Sequence, residues 1–409
     1  MYDVIIVGAR AAGAATAMLL ARDGLRVLAV DRAEFPSDTL STHQVQLPGV
    51  AKLARWGLLD KVVASGAPPT REVRFDTGAA VVNGRFPPFE GVDALYSPRR
   101  TILDALLVDA ARAAGAEVRE RFQVEEIAVA DGRITGRAKG GRMVAERARL
   151  IVGADGKHSL VARAAAAPAY HERSPQTVAS YTYWAGVPLD RGEIYAGERR
   201  AVGAWPTNDG LVMTYVAWPA EEFGAFRADV EGNLLATLDL AGELGERIRS
   251  GERAERIRTI PDLPARFRRP FGPGWALVGD AGLVLDPITG QGIGHAFRDA
   301  ELLSAAVVEG LGGGRPLETT LAEYTRKRDE DSLPMYEFTA QLAALAPPKP
   351  QERALFAALA AKPAEADRFL GVIAGSVPIP SYLAPANLFR VIGPRGMAKL
   401  ALSRLRAAR

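Results

Sequence analysis

Residues 2–13 read Tyr-Asp-Val-Ile-Ile-Val-Gly-Ala-Arg-Ala-Ala-Gly, an apolar run that stops at Gly8 and passes into small residues. A continuous apolar run without alternation is what a strand buried on both faces requires. Residues 11–23 carry a helical period, and a second apolar stretch, residues 25–30, ends at Asp31. The pattern predicts strand, tight turn, helix, strand: a βαβ unit opening a doubly wound parallel sheet. Gly8 allows the turn, and Gly13, with Ala12 beside it, lets helix and strand pack closely. The helix start offers unpaired N–H groups and the positive end of a dipole to a pyrophosphate. Asp31, followed by Arg32, stands where an acidic residue meets ribose hydroxyls. The fingerprint's second glycine is replaced by Arg10. Its Cβ must stay clear of the phosphates, and its guanidinium is expected to contact one.

Two later stretches extend this reading. The first is Gly153-Ala154-Asp155-Gly156-Lys157-His158-Ser159, with Arg163 behind it. The second is Gly279-Asp280-Ala281-Gly282, then Asp286-Pro287 and Gly290-Gln291-Gly292-Ile293-Gly294. A strand ending in a carboxylate, as at Asp280, can accept hydrogen bonds from sugar-like hydroxyls. A glycine-rich turn opening a helix can aim N–H groups at delocalised negative charge.

In this order and with these gaps, the three stretches resemble the flavoprotein monooxygenases of the para-hydroxybenzoate hydroxylase type. The resemblance covers roughly residues 1–330 and implies FAD as cofactor. It places Asp155 and Gly156, oriented by Arg163, on the FAD side and the NAD(P)H path. It places Gly279 and Asp280 at the ribitol, and Gly290, Gly292 and Ile293 at the pyrimidine end of the flavin, with Pro287 near the ring. Arg100, with Leu103 and Leu107, matches a helix whose arginine lies by FAD. The chain departs from the pattern at Gly282-Leu283, where many members carry Ala-His. The activity implied is reduction of FAD by NAD(P)H, formation of a flavin C4a-hydroperoxide from molecular oxygen, and hydroxylation of an aromatic or polycyclic small molecule. No second G-x-G-x-x-G follows a later strand, so the nicotinamide is expected to bind transiently, or a separate flavin reductase to supply electrons.

Composition bounds the alternatives. The 409 residues predict two to three domains. Net charge is +3, with both signs mixed along the chain, which argues against a nucleic-acid surface. No run of about 18 apolar residues suggests a membrane span, and no signal-peptide pattern opens the chain, so the cytoplasm is the expected location. In the basic tail, residues 399–409, Leu400, Leu402 and Leu405 suggest a short amphipathic helix, docked on the protein itself or, less favoured, on an anionic membrane. The absence of cysteine excludes disulfides, Fe–S ligation and flavin disulfide reductase chemistry. With only four histidines, a structural metal site is not expected.

The fold expected is α/β: a Rossmann-like FAD domain (residues 1–70, 96–168 and 264–330) interleaved with an antiparallel substrate sheet (71–95 and 169–263), then a helical region (331–409). Residues 97–114 read as a helix and 117–151 as an antiparallel meander. Residues 178–187, 201–205 and 211–218 read as strands, the last two joined at Asn208-Asp209-Gly210. Residues 223–258 return to helical patterning, 275–278 form another strand, and 292–309 a helix. On the sheet, Tyr183, Trp205, Met213 and Tyr215 are expected to line a substrate pocket. His43 is the candidate proton-handling group, and His295 a helix cap. Three rivals stay open. A flavin halogenase would carry Trp-x-Trp-x-Ile-Pro and an active-site lysine, where this chain has Ala204-Trp205-Pro206. A prenyl reductase or flavin dehydrogenase is suggested by Asp-Pro-Ile-Thr-Gly-Gln-Gly from Asp286. The third is a non-enzymatic flavin-binding module.

Overall fold

In the computed structural model, which describes residues 1–197 and 199–407, the opening apolar run is the strand Tyr2–Val7, with Val4, Ile5 and Ile6 fully buried. It lies inside a parallel sheet, between Met143–Gly153 and Val27–Val30. Trp275–Leu277 extends the sheet on one side and Glu117–Arg119 on the other, both parallel to their neighbours. A strand buried on both faces has no polar side to present, which is why these sequences do not alternate. The α/β fold predicted from the sequence is the one observed.

The turn after Val7 needs its glycines. Gly8 adopts φ +97°, and a Cβ there would lie 2.5 Å from the Ala154 carbonyl oxygen. A Cβ on Gly13 would lie 1.8 Å from the Gly8 carbonyl oxygen. The helix Ala11–Arg22 therefore sits directly against the strand ends, packed also on the helices Arg100–Ala113 and Gly292–Leu311.

The strand Met143–Gly153 serves two sheets. Its first half pairs antiparallel with Arg133–Arg137, which pairs in turn with Gln123–Ala128; its second half joins the parallel sheet. The predicted meander over 117–151 is thus corrected at its start, because Glu117–Arg119 completes the parallel sheet instead.

The second large sheet runs in the order Glu252–Arg253, Thr177–Ala185, Val212–Pro219, Arg200–Pro206, Gly192–Gly197, Glu72–Asp76, Val81–Arg85. The early segment enters through a parallel pairing of Glu72–Asp76 with Gly192–Gly197. Strict alternation divides its side chains. Tyr181, Tyr183, Trp205, Met213 and Tyr215 join the main core toward the parallel-sheet domain. Trp184, Val202, Val216 and Trp218 face the other way, under the helices Val230–Asp239 and Glu243–Arg249. Residues 223–258 are not wholly helical, since Glu252–Arg253 and Arg258–Ile260 pair with the sheet edge.

The helix Leu317–Ala343 runs across the expected boundary at 330/331. The later helix Pro363–Ile373 packs on the strand Val81–Arg85, so the C-terminal region covers the second sheet. The last helix spans Pro385–Ala407. The packing expected of the tail's side chains, residues 399–409, lies outside what is described. Among the described residues, no helix is long and apolar enough to cross a membrane.

Candidate active site

The helix Ala11–Arg22 starts without a side-chain cap. Its first N–H groups have no intrahelical partner, and they open beside Gly8 and Ala12, both partly exposed. The same holds for Gly292–Leu311, whose N-cap Gln291 makes no capping bond and whose first residue, Gly292, is exposed. Gly290, at φ +64°, leaves no room for a side chain, because a Cβ would meet the Gln44 Oε1 at 2.2 Å. Ile293 and Gly294 are buried one turn further on.

Asp280 follows the strand Trp275–Leu277 and accepts no hydrogen bond from the described residues. Its side chain is exposed although protein surrounds it closely, the combination found on the floor of a cleft. Burial among protein atoms pushes its carboxyl up to about 6, against the favourable charges of Arg100 and Lys157 and with a further push from Asp299. A strand-end carboxylate without a partner and two uncapped helix starts fit a cofactor bearing both polyol hydroxyls and phosphates. The residues present fit FAD.

Arg10 departs from its expectation. Its guanidinium donates to Asp104 Oδ2 at 2.8 Å, to the Ser37 carbonyl at 3.1 Å, to Ser37 Oγ at 2.9 Å and to the Asp38 carbonyl at 3.2 Å. These bonds spend both terminal nitrogens and leave only Nε for a phosphate. Asp104 is fully buried and also takes Arg100, at 2.9 and 3.0 Å. A buried carboxylate must be paired, and here one negative charge is set between two positive ones. The surplus positive charge lies beside a helix start, where it favours an anion. Asp104 was missed, although its i,i+4 spacing from Arg100 is a legible signal.

Asp31 is similarly engaged. Its two oxygens accept the Ala9 and Ala33 N–H groups, each at 2.8 Å, so the carboxylate first pins the glycine turn. Arg32 is exposed. Ser159 caps the helix Leu160–Ala164 by accepting from the Ala162 N–H, and Asp155 supports it, accepting from Ser159 Oγ and from the Leu160 N–H. Burial raises its pKa in spite of these bonds. Arg163 is exposed and donates to the His158 carbonyl. It does not bond Asp155, so the expected orienting contact is corrected. Gly156, at φ +79°, completes this turn.

The Gly282 departure has a steric account. A Cβ there would lie 3.0 Å from Arg328 Nη1, because the fully buried Arg328 fills the space and donates to the Gly282 and Arg268 carbonyls.

Between the second sheet and the turn Pro287–Thr289 lies a narrow cavity of about 40 Å³. Trp205 and Tyr215 of the sheet, Gln44 and Gln46 of the preceding loop, Ile288, and Leu370 and Ile373 of a C-terminal helix border it. Pro287 follows Asp286, whose carboxylate accepts from the Ile288 N–H and from Thr177 Oγ1. Burial pushes the Asp286 carboxyl up to about 6. Gln46 Nε2 donates to the Thr289 carbonyl at 3.2 Å and Gln291 Nε2 to the Ile373 carbonyl at 2.7 Å, which ties three distant segments together at one wall.

Two expected pocket residues lie elsewhere. Tyr183 is fully buried, hydrogen-bonded to His43 Nε2 and covered by the Arg99 guanidinium at 4.3 Å. Met213 is fully buried between its cross-strand neighbours Tyr183 and Trp205. His43 also needs correction. It is fully buried and off the cavity wall, and burial beside Arg100, Arg99 and Arg258 holds its pKa down at about 3. The imidazole is thus neutral at ordinary pH and hydrogen-bonded to Tyr183. His295 does not cap its helix: it lies inside the first turns, with its Nδ1 buried and unpartnered.

Residues 1–338 match the family described as FAD binding domain. The digeranylgeranylglycerophospholipid reductase of Methanosarcina acetivorans is 26% identical over 342 residues, covering 80% of each chain. The ubiquinone hydroxylase UbiL of Rhodospirillum rubrum is 27% identical over 374 residues, covering 84% of this chain and 81% of the other. Among solved structures, the flavin-dependent brominase Bmp2 superposes with a TM-score of 0.81 at 17% identity, covering 100% of both chains. That likeness shows the fold.

Proposed function

The chain belongs to the family of FAD binding domains, matched over residues 1–338, and from that premise we propose that this FAD-dependent oxidoreductase is an NAD(P)H-driven monooxygenase that hydroxylates an aromatic or polycyclic small molecule. The observation that carries the reading is the cavity beside Pro287–Thr289, walled by Trp205, Tyr215 and aliphatic side chains. Its aromatic and aliphatic side chains, with Gln44 and Gln46 among them, suit the edge of a flat ring, and its volume of about 40 Å³ admits only that edge. They stand against the turn that precedes the uncapped helix start, the side on which this reading expects the flavin edge.

Bound FAD supplies the redox chemistry, accepting electrons from NAD(P)H and delivering them to dioxygen. The chain's own residues do the rest. Gly8 and the start of Ala11–Arg22 receive the pyrophosphate, under the net positive charge of Arg10, Asp104 and Arg100. Asp280 accepts hydrogen bonds from the ribitol hydroxyls. The start of Gly292–Leu311 aims N–H groups and the helix dipole at the negative charge of the reduced state. Asp155, Gly156 and the exposed Arg163 stand on the flank where the nicotinamide would approach. The aliphatic wall from Leu370 and Ile373 keeps water from the reacting ring.

Halogenation has less support. The cavity wall contains no lysine, and Trp205 stands in Ala-Trp-Pro rather than in a halogenase signature. The test is anaerobic mixing of the FAD-loaded protein with NADH or NADPH, with and without aromatic probes, followed by addition of oxygen. The expected result is bleaching of the oxidised flavin, faster with a substrate, and product only after oxygen is admitted. Product formed without oxygen would replace this reading by a reductase or dehydrogenase. Bleaching only with an added flavin reductase would make the system two-component.

A further inference from the structure

Residues 31–46 run past each part of the cleft where FAD is expected. The segment starts at Asp31, on the ribose side, whose carboxylate accepts the Ala9 N–H at 2.8 Å. It ends at Gln44 and Gln46, on the flavin side. Gln44 Oε1 occupies the space that a side chain on Gly290 would need, and Gln46 Nε2 donates to the Thr289 carbonyl at 3.2 Å. Between these ends, residues 31–44 form neither helix nor strand. Among the described residues, 34–44 make no backbone–backbone hydrogen bond. Side chains from elsewhere must hold this stretch in place.

Two arginines hold its middle, one from each side. Arg10 reaches in from the helix start where the pyrophosphate is expected. It donates to the Ser37 carbonyl at 3.1 Å, to Ser37 Oγ at 2.9 Å and to the Asp38 carbonyl at 3.2 Å. Arg258, on the edge of the second sheet, pairs with the Asp38 carboxylate at 2.8 Å. The Arg10 fork is itself aimed, because Nη1 also donates to Asp104 Oδ2 at 2.8 Å, and Arg100 holds that fully buried carboxylate as well. A guanidinium presents several donors in a fixed planar fork, so it can serve a carboxylate, a hydroxyl and two carbonyls together. The turn does not demand an arginine. Arg10 has φ −84°, which any residue adopts, and glycine is well tolerated at a helix N-cap.

We propose that Arg10 is a positioning residue for the cofactor. It clasps residues 37 and 38 to the start of Ala11–Arg22, so that the segment 31–46 forms one wall of the FAD cleft. Loss of the clasp frees FAD to leave. The inference rests on FAD as the cofactor and is independent of the reaction the flavin performs.

The test is the rate of FAD release from the FAD-loaded full chain, followed by flavin fluorescence after dilution. Arg10→Gly restores the fingerprint glycine, so the expectations differ in sign. An arginine that is merely tolerated gives release unchanged or slower in the variant; a clasp gives release about tenfold faster or more. Arg10→Lys keeps the charge beside the pyrophosphate but not the fork, and should release FAD nearly as fast as Arg10→Gly. Ser37→Ala removes one acceptor at the far end. It should speed release about threefold in the parent and not at all in Arg10→Gly, as for two residues that share one interaction. Should Arg10→Gly fail to fold, Ser37→Ala and Arg10→Lys, each against the parent, still decide the matter. Release from Arg10→Gly no faster than from the parent, release from Arg10→Lys or Ser37→Ala at the parent's rate, or additive effects of Arg10→Gly and Ser37→Ala would each overturn the proposal.

Discussion

The two faces of the second sheet carry the same residue type in different chemical states. On the outer face, Trp184 Nε1 donates to Thr214 Oγ1 at 2.8 Å and Trp218 Nε1 to Thr237 Oγ1 at 2.7 Å. On the inner face, Trp205 Nε1 donates to nothing. All three indoles are at least nine-tenths buried. The outer tryptophans are finished parts of a core, their apolar bodies packed and their single donors satisfied. Trp205 is as buried but unfinished, and it stands on a cavity. The difference teaches that burial alone does not separate packing from recognition. Hydrogen-bond accounting separates these indoles where burial does not.

The comparison can be broken most forcefully on the outer face. Trp218→Ala removes an indole packed edge-on against Phe226 and beneath the Arg200 guanidinium. It should cost about 3–5 kcal/mol in chemical denaturation, with FAD stoichiometry unchanged in the protein that remains folded. If instead it abolished FAD binding at full stability, the outer face would not be simple core. On the inner face, Trp205→Phe should leave denaturation almost unmoved and raise the KM for the substrate about tenfold, a loss of about 1.4 kcal/mol in binding. A stability loss as large as that of Trp218→Ala would erase the distinction between the faces.

The pH dependence of stability sharpens the same contrast, since Asp286 lies behind the inner face. Its carboxyl is pushed up to about 6 from an ordinary 3.8. Below about pH 4 it is protonated whether the chain is folded or not. Between about 4 and 6 the unfolded chain releases the proton and the folded chain keeps it, so this group lowers stability as pH rises, fully so above 6. His43 acts oppositely, its contribution lost as pH falls from 6.5 toward 3. The informative quantity is therefore the difference between Asp286→Asn and the parent. The melting temperature of the variant should rise relative to the parent across pH 4–6, by the equivalent of about 1–3 kcal/mol; parallel curves would contradict the assignment. The smallest expected effect is Trp184→Phe, where one lost hydrogen bond should cost about 1 kcal/mol by denaturant melt. It should not alter KM.

What the sequence made legible follows from how local each requirement is. Gly8 and Gly13 announce the turn because neighbouring backbone forbids a side chain there. The apolar runs announce parallel strands because both faces are covered. Asp280 is legible because it ends such a strand. The engagement of Arg10 is not legible because its partner Asp104 lies 94 residues away, and charge pairing across that distance leaves no local trace. Gln46, Tyr215 and Leu370 meet only through three-dimensional packing, and a glutamine, a tyrosine and a leucine carry no motif. Alternation correctly put Trp205 and Tyr215 on one face. It could not say that Tyr183, on the same face, would be spent on His43, nor that the C-terminal helices would supply part of the wall.

On the proposed function, this flavoprotein moves an oxygen atom onto a ring. The most direct measurement is turnover under ¹⁸O₂ with the best-binding ring probe, NAD(P)H and the FAD-loaded protein, with the product analysed by mass spectrometry. The expected product is heavier by one ¹⁸O atom and is formed at the expense of one NAD(P)H. A product of unchanged oxygen content, formed equally well under argon, would contradict it and place the chain with the reductases or dehydrogenases of its family.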